Sequence, residues 1–319
     1  MRNIDERDYA FDIMKGIGIF LMVAGHTLGP ESILHNYIYA FHMPLFFLIA
    51  GYFVKPKNNV ENIVSSFDRL IKPFLFICFI VVLINALHHY YNTHTINLSY
   101  DKIIRGVGPG WFLLALFWGR IIFNQLIRHF SKQYLYVALV ISSIPTILHW
   151  SYPIFMPFCI LQGLSCVIFL AIGYYVKQHD ILVVMNRNII PCIIISLLLW
   201  LNTSIFGAIE MSDSYYKLWV LDYMGAIGGS FLCYCLAKYI LLDFSILNKI
   251  LITISIYSLS IYSFHTIDFC IPIWHYLVPI VGHDYLVISV ILIRFLFFIP
   301  IIFITYRIPF LFTLFVRKK

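Results

Sequence analysis

An all-α, multi-pass membrane fold follows from three features of the sequence: its apolar excess, the spacing of its apolar runs and the sidedness of its basic residues. Of 319 residues, 61% are hydrophobic and 12% charged, where soluble domains carry about 25% charged residues. A water-soluble chain cannot hide so much apolar surface. Lipid accepts it, because helices close their backbone hydrogen bonds internally and can turn apolar side chains outward. Aromatic residues make up 18% of the chain. Tyr and Trp suit the two membrane interfaces, and Phe suits lipid or helix–helix contacts.

The apolar runs fall at 13–28, 37–54, 73–90, 111–127, 134–150, 154–176, 189–206, 218–237, 250–268 and 285–305. Each is near the ~20 residues that span a hydrocarbon core, so about ten transmembrane helices are expected. Pro145, Pro153 and Pro157 interrupt the fifth and sixth runs. Basic residues alternate between the gaps. One side holds Arg2 and Arg7, then Lys55, Lys57, Arg69 and Lys72, then Arg128, Lys132, Lys177, Arg187, Lys238, Lys249 and the terminal Arg317–Lys319. The other side holds only Lys102, Arg105 and Lys217. Cytoplasmic loops are enriched in Lys and Arg, so both termini are expected in the cytoplasm. No repeat, low-complexity tract or linker divides the chain, and residues 1–319 read as a single membrane-embedded domain without a separate soluble one.

The same pattern disposes of other classes. A net charge of +7 invites a nucleic-acid reading, but the basic residues lie between apolar runs and form no amphipathic face, so no nucleic-acid partner is expected. Six of seven cysteines sit in apolar runs and Cys270 follows one. Cys233 and Cys235 are too close for a zinc site, and the cysteines read as small packing residues. The N-terminus is charged, and the first run ends at His26 without a small-residue cleavage site, so it is expected to be a membrane helix and not a leader. The lipid bilayer is the first partner, in a cell (inner) membrane.

Ionisable groups inside membrane helices are expensive and mark function by default. Lys15 and His26 share one face of the first helix: eleven residues are three turns plus about 20°, or roughly 16 Å along the axis. Either residue alone also suits a plainer role, a snorkelling lysine or an interhelical hydrogen bond. With the N-terminus inside, Lys15 lies near the cytoplasmic surface and His26 near the outer one. The segment FHMPLFFLIAGY places His42, followed by Pro44, at a similar outer depth. SIYSLSIYSFHT places His265 there as well. Three histidines at one depth argue for a polar cavity. No two share a helix face at ligand spacing, so no metal is expected. On the cytoplasmic side, Arg69-Leu-Ile-Lys72-Pro73 joins Lys15 as a candidate anion-binding set. Arg294, near the middle of the last run, requires a partner or a ligand. Gly106-Val-Gly-Pro-Gly110-Trp111 leads into the fourth helix from outside, and Trp111 is either an interface anchor or part of a substrate pocket.

Together these segments resemble the membrane-bound acyltransferase family 3, and within it the branch likened to fucose 4-O-acetylases. The family's helix-one pattern, a basic residue, ten residues and then His, is matched by Lys15 and His26 within D-x-x-K-G-I-x-I; many members carry Arg where Lys15 stands. FHMPLFFLIAGY resembles the second signature and supports His42 and Pro44. Arg69-Leu-Ile-Lys72-Pro73 resembles the basic start of the third helix, GPGWFLLALF the Trp-Phe-Leu motif, and SLSIYSFHT the late Ser-x-x-Ile-Tyr…His motif. The resemblance spans most of the chain in the right order.

The resemblance implies an acyl-CoA-dependent O-acyltransferase. Such a protein takes an acyl group, expected to be acetyl, from cytoplasmic acetyl-CoA. It passes the group to a hydroxyl of a surface or lipid-linked carbohydrate such as lipopolysaccharide, capsule or exopolysaccharide. Because the sequence ends just past the last run, the chemistry is expected within the membrane domain. Lys15, Arg69 and Lys72 would hold the donor phosphates, and the pantetheine arm would cover much of the distance to His26. His26 would act as general base or transient acyl carrier, a role imidazole suits near neutrality. His42, Trp111 and His265 are candidates to stabilise charge on the carbonyl oxygen. A carboxylate orienting His26 is expected by analogy with triads, with Glu31, Asp222 and Asp268 on the right side; Asp12 suits Lys15 or Arg69. The competing classes are a proton-coupled small-molecule transporter, which inward-facing histidines and Arg294 would also suit, and a non-catalytic membrane subunit.

Overall fold

A computed structural model describes residues 9–94, 108–151, 157–268 and 283–316. Arg2, Arg7, Lys102, Arg105, Cys270 and residues 317–319 lie outside them. The described chain is almost wholly helical, and its one sheet is a two-stranded hairpin. Among the described residues, seven helical stretches are long and apolar enough to cross a membrane, or eight if one bent pair counts as a span. Runs expected at 111–127 and 134–150 are helices Trp111–His129 and Tyr134–Ser151. The protein is a multi-pass membrane protein.

Helix α1, Tyr9–Thr27, runs through the centre and buries Ile13, Ile19, Met22 and Val23. The second run is broken into α2, Ile33–Tyr39, and α3, His42–Tyr52. Pro44 explains the break: it has no N–H to bond the carbonyl of Ala40, so the ladder lapses there. Helix α4, Asn59–Ser66, is capped by Asn58, whose side chain accepts from Glu61 N at 2.7 Å. A π-helical turn over Phe67–Ile71 then joins it to α5, Lys72–Thr93, where Pro73 again removes a backbone donor.

Helices α6, Trp111–His129, and α7, Tyr134–Ser151, precede a broken span made of α8, Ile160–Ser165, and α9, Val167–Gln178. A short helix α10, Ile181–Arg187, leads to α11, Ile189–Phe206. The hairpin β1, Ile209–Glu210, and β2, Tyr215–Tyr216, pairs Ile209 with Tyr216 and Glu210 with Tyr215. Helix α12, Val220–Tyr239, follows.

The ninth run is not one straight span. It splits into α13, Ser245–Ile256, and α14, Ser258–Asp268, bent by 71°. The break falls in a serine-flanked stretch, where hydroxyls compete for backbone partners. Helices α15, His283–Leu296, α16, Phe298–Arg307, and α17, Pro309–Phe315, complete the described chain.

Small residues let the helices approach closely, as membrane helices require when lipid offers no hydrophobic drive between them. A Cβ on Gly51 would collide with the carbonyl of Leu170, and one on Gly173 with that of Leu48. This reciprocal contact fixes α3 against α9. Gly16 of α1 meets the carbonyl of Leu251 on α13 in the same way.

Candidate active site

Two breaks in the helices assemble the site. The lapse before α3 puts His42 in its first turn, where Nδ1 reaches back to the carbonyl oxygen of Ile38 at 3.0 Å. A carbonyl only accepts, so Nδ1 carries the proton and Nε2 the lone pair. His42 is 1% exposed, and its Nε2 has no hydrogen-bond partner among the described residues. The bend between α13 and α14 brings His265 beside the end of α1. The rings of His26 and His265 stack with centroids 5.4 Å apart, and His26 Nδ1 lies 3.3 Å from His265 Nε2. His42 stands edge-on to His26, centroids 6.5 Å apart. Residues from three distant parts of the chain thus meet at one end of the bundle.

Behind the histidines is a carboxylate. Asp268 Oδ2 lies 3.6 Å from His265 Nδ1 and 2.8 Å from Arg294 Nε. Arg294 also donates from Nη1 to Thr27 Oγ1 at 2.6 Å. The neighbours order the protons along this chain. Facing a carboxylate, His265 Nδ1 holds a proton and Nε2 accepts; His26 Nδ1 then donates to it, which leaves the His26 lone pair on Nε2. Of the carboxylates nominated by sequence, Asp268 joins the histidines. Asp222 instead accepts from Leu218 N at 2.8 Å, and Glu31 is exposed. Arg294 faces Asp268 and Thr27 and is not among the cavity-lining residues.

His26 and His42 line a cavity of about 590 Å³ together with Trp111 and Tyr39. Its far wall is the β1–β2 hairpin, contributing Glu210, Ser212 and Asp213, with Gln162 from α8. Gln162 Nε2 donates to Ser212 O at 2.6 Å and ties the hairpin to the bundle. Thr146 Oγ1 donates to Ser214 O at 3.4 Å from the other side. Ser212 Oγ donates to Glu210 Oε1 at 3.1 Å. Burial pushes the Glu210 carboxyl above its ordinary value; the Ser212 hydroxyl opposes this and Asp213 adds to it.

The expected donor cations lie elsewhere, and among the described residues none of Lys15, Arg69 and Lys72 lines this cavity. Lys15 Nζ is 3.7 Å from Asp12 Oδ1 and 5.6 Å from the centre of the Phe53 ring. Lys177, unnoticed in the sequence as more than a loop charge, lies 5.6 Å from the same ring. Lys72 pairs with Asp68 at 2.7 Å, and Arg69 is exposed in the π-helical turn. Among the described residues, no group of three or more His, Cys, Asp or Glu side chains is placed to hold a metal ion.

Sequence reasoning missed the hairpin. It carries no motif, and its signal was only a pair of acidic residues, Glu210 and Asp213, in a short polar segment between two apolar runs.

A membrane-embedded bundle with a histidine–carboxylate chain opening on a cavity defines a class of membrane enzyme, and comparison places the chain within it. Residues 8–314 match the family model for the acyltransferase domain of acyltransferase family 3, and the chain belongs to that family. It is 29% identical over 174 residues to the nodulation protein NolL of Mesorhizobium japonicum, a match covering 47% of this chain and 47% of the relative. It is 28% identical over 177 residues to the nodulation protein NolL of Sinorhizobium fredii, covering 47% and 48%. The chain thus spans about half the length of the curated relatives it matches. No solved structure matches it.

Proposed function

We propose that the protein is an O-acyltransferase of the cell's inner membrane, moving an acyl group, expected to be acetyl, from cytoplasmic acyl-CoA to a hydroxyl of a surface or lipid-linked carbohydrate. The observation that carries this reading is the Asp268–His265–His26 chain ending at a cavity large enough for part of a glycan. Pockets of about 300–1,000 Å³ are the usual size for small-molecule sites.

In this reading His26 Nε2 takes the proton from the acceptor hydroxyl as its oxygen attacks the thioester carbonyl carbon. The C–O bond forms, the C–S bond breaks, and the leaving thiolate recovers the proton from His26. Asp268 acts through His265 to hold the imidazoles in the required tautomers and to offset the imidazolium charge. Arg294 is a positioning residue that holds the Asp268 carboxylate in place through its 2.8 Å contact. His42, with its Nε2 lone pair, accepts a hydrogen bond from a second acceptor hydroxyl, and Trp111 packs against the ring. Lys15, Arg69 and Lys72 attract the donor phosphates at the other end, with Lys177 beside Lys15. Membership of the family favours this enzyme over the transporter reading.

The test uses purified protein in nanodiscs with acetyl-labelled acetyl-CoA and glycans from the native surface. Label reaching glycan with release of CoA supports the assignment; substrate flux into sealed vesicles without transfer overturns it.

A further inference from the structure

A base that activates the acceptor hydroxyl is half of an acyl transfer. As the acceptor oxygen attacks, the thioester carbonyl oxygen gains negative charge, and a hydrogen-bond donor aimed at it lowers the barrier. The two histidines beside His26 are candidates by sequence, but their tautomers leave no hydrogen for this task. His42 donates Nδ1–H to the Ile38 carbonyl oxygen and keeps a lone pair on Nε2. His265 turns Nδ1 to Asp268 and Nε2 to His26.

A phenol stands next to them. Tyr39, the last residue of α2, lines the cavity with His26 and His42. Its ring centre is 6.2 Å from that of His26 and 4.8 Å from that of His42. Two contacts hold the ring. The His35 imidazole, one turn back on α2, stacks on it with centres 3.7 Å apart. On α1, Gly25 makes room for it: a Cβ there would stand 3.2 Å from Tyr39 Cε2, the carbon next to the one that bears the hydroxyl. Gly25 precedes His26, so the phenol is held against the turn that carries the base. Among the described residues the Tyr39 hydroxyl has no hydrogen-bond partner, and it keeps accessible surface. A phenol has one O–H to donate.

We propose that Tyr39 is a catalytic residue, donating its O–H to the carbonyl oxygen of the acyl thioester while His26 serves the acceptor hydroxyl. The inference rests on the acyl-transfer reading above and adds the group that meets the developing charge.

The acceptor oxygen bonds to the carbonyl carbon and passes its proton to His26 Nε2. The carbonyl π pair moves onto the carbonyl oxygen, which accepts the Tyr39 hydrogen bond; Tyr39 keeps its proton. The pair returns as the C–S bond breaks, and His26 gives its proton to the leaving thiolate. Because this hydrogen bond strengthens only as charge develops, it speeds the step without tightening the bound donor.

The experiment follows CoA release and label transfer from acetyl-CoA to glycan in nanodiscs by wild type, Tyr39→Phe and Trp111→Phe. Acetyl-CoA binding is measured by calorimetry in parallel. Tyr39→Phe keeps the ring and its stacking on His35 and loses only the hydroxyl. Its kcat should fall about 10²–10³-fold, the usual cost of one such donor. KM for donor and for glycan, and acetyl-CoA affinity, should stay within threefold of wild type. Trp111→Phe, which loses the indole N–H, should lower kcat less than tenfold. A Tyr39→Phe kcat within threefold of wild type, a loss confined to KM, or a larger loss of kcat in Trp111→Phe than in Tyr39→Phe overturns the proposal alone. A wild type that binds acetyl-CoA but transfers no label overturns the acyl-transfer reading and the proposal with it.

Discussion

At the scale of single residues, the site turns on Asp268 and Arg294. Asp268 is 17% and Arg294 8% exposed in their side chains, and they lie 2.8 Å apart. If Asp268 orients the histidines, Asp268→Asn should lower acyl transfer at least about a hundredfold, the usual scale of a general-base contribution. Donor binding, followed by calorimetry with a non-hydrolysable acyl-CoA analogue, should change less than twofold. A rate within threefold of wild type would remove Asp268 from the mechanism. Arg294 is a matter of stability first. Arg294→Met takes from a largely buried carboxylate its closest partner, and breaking a buried ion pair costs about 3–5 kcal/mol. Adding Asp268→Asn should restore much of the loss in thermal unfolding monitored in detergent. Equal melting temperatures for the single and double variants would show that the pair is not coupled.

The histidines were legible because an ionisable residue in an apolar run is conspicuous, and because chain direction sets its depth. His26, His42 and His265 needed only those two facts. Their protonation order did not follow from sequence, since it depends on the Ile38 carbonyl and the Asp268 carboxylate, contacts between groups that meet only after folding. Glu210 and Gln162 were invisible for a related reason. A carboxylate in a polar connection looks like a solvated loop residue until the connection folds over a cavity.

At the scale of elements, proline marks some breaks and not others: Pro145, expected to interrupt its run, lies inside the continuous helix α7. Pro44 and Pro73 each sit beside a break, at Ala40–Phe41 and at the π-helical turn. The apolar runs were blind to these breaks and to the 71° bend after Ile256, because lipid tolerates an apolar segment whether or not it is straight. The bend matters chemically: a continuous helix through Tyr257 would carry His265 away from His26. The reciprocal glycines of α3 and α9 give a further test. Gly173→Ala forces a Cβ against the Leu48 carbonyl, and overpacking of this kind costs about 1–3 kcal/mol. Its apparent Tm should fall, while Gly29→Ala, which meets nothing within 4 Å, should leave it within a degree. Equal effects would argue against close α3–α9 packing.

For the whole molecule, the apolar exterior is the feature that composition announced. Ile194, Ile195 and Leu198 of α11 and Ile299 and Phe303 of α16 are exposed, as side chains facing lipid must be. The number of crossings was harder to read, since short helices such as α8, α10 and α17 share the apolar composition of true spans. The sidedness rests on basic residues alone and is directly testable. In a cysteine-free background, Ser212→Cys should react with an impermeant maleimide on intact cells, and Asn59→Cys only after permeabilisation. The opposite pattern would invert the orientation and place the histidine cavity on the cytoplasmic side.

The most direct test of the central claim is transfer of label from acetyl-CoA to glycan by wild type, His26→Ala and His26→Gln in nanodiscs. The account predicts acetyl-CoA binding by all three proteins, and a loss of transfer of at least about a hundredfold in both variants. Transfer by either variant at the wild-type rate would contradict it.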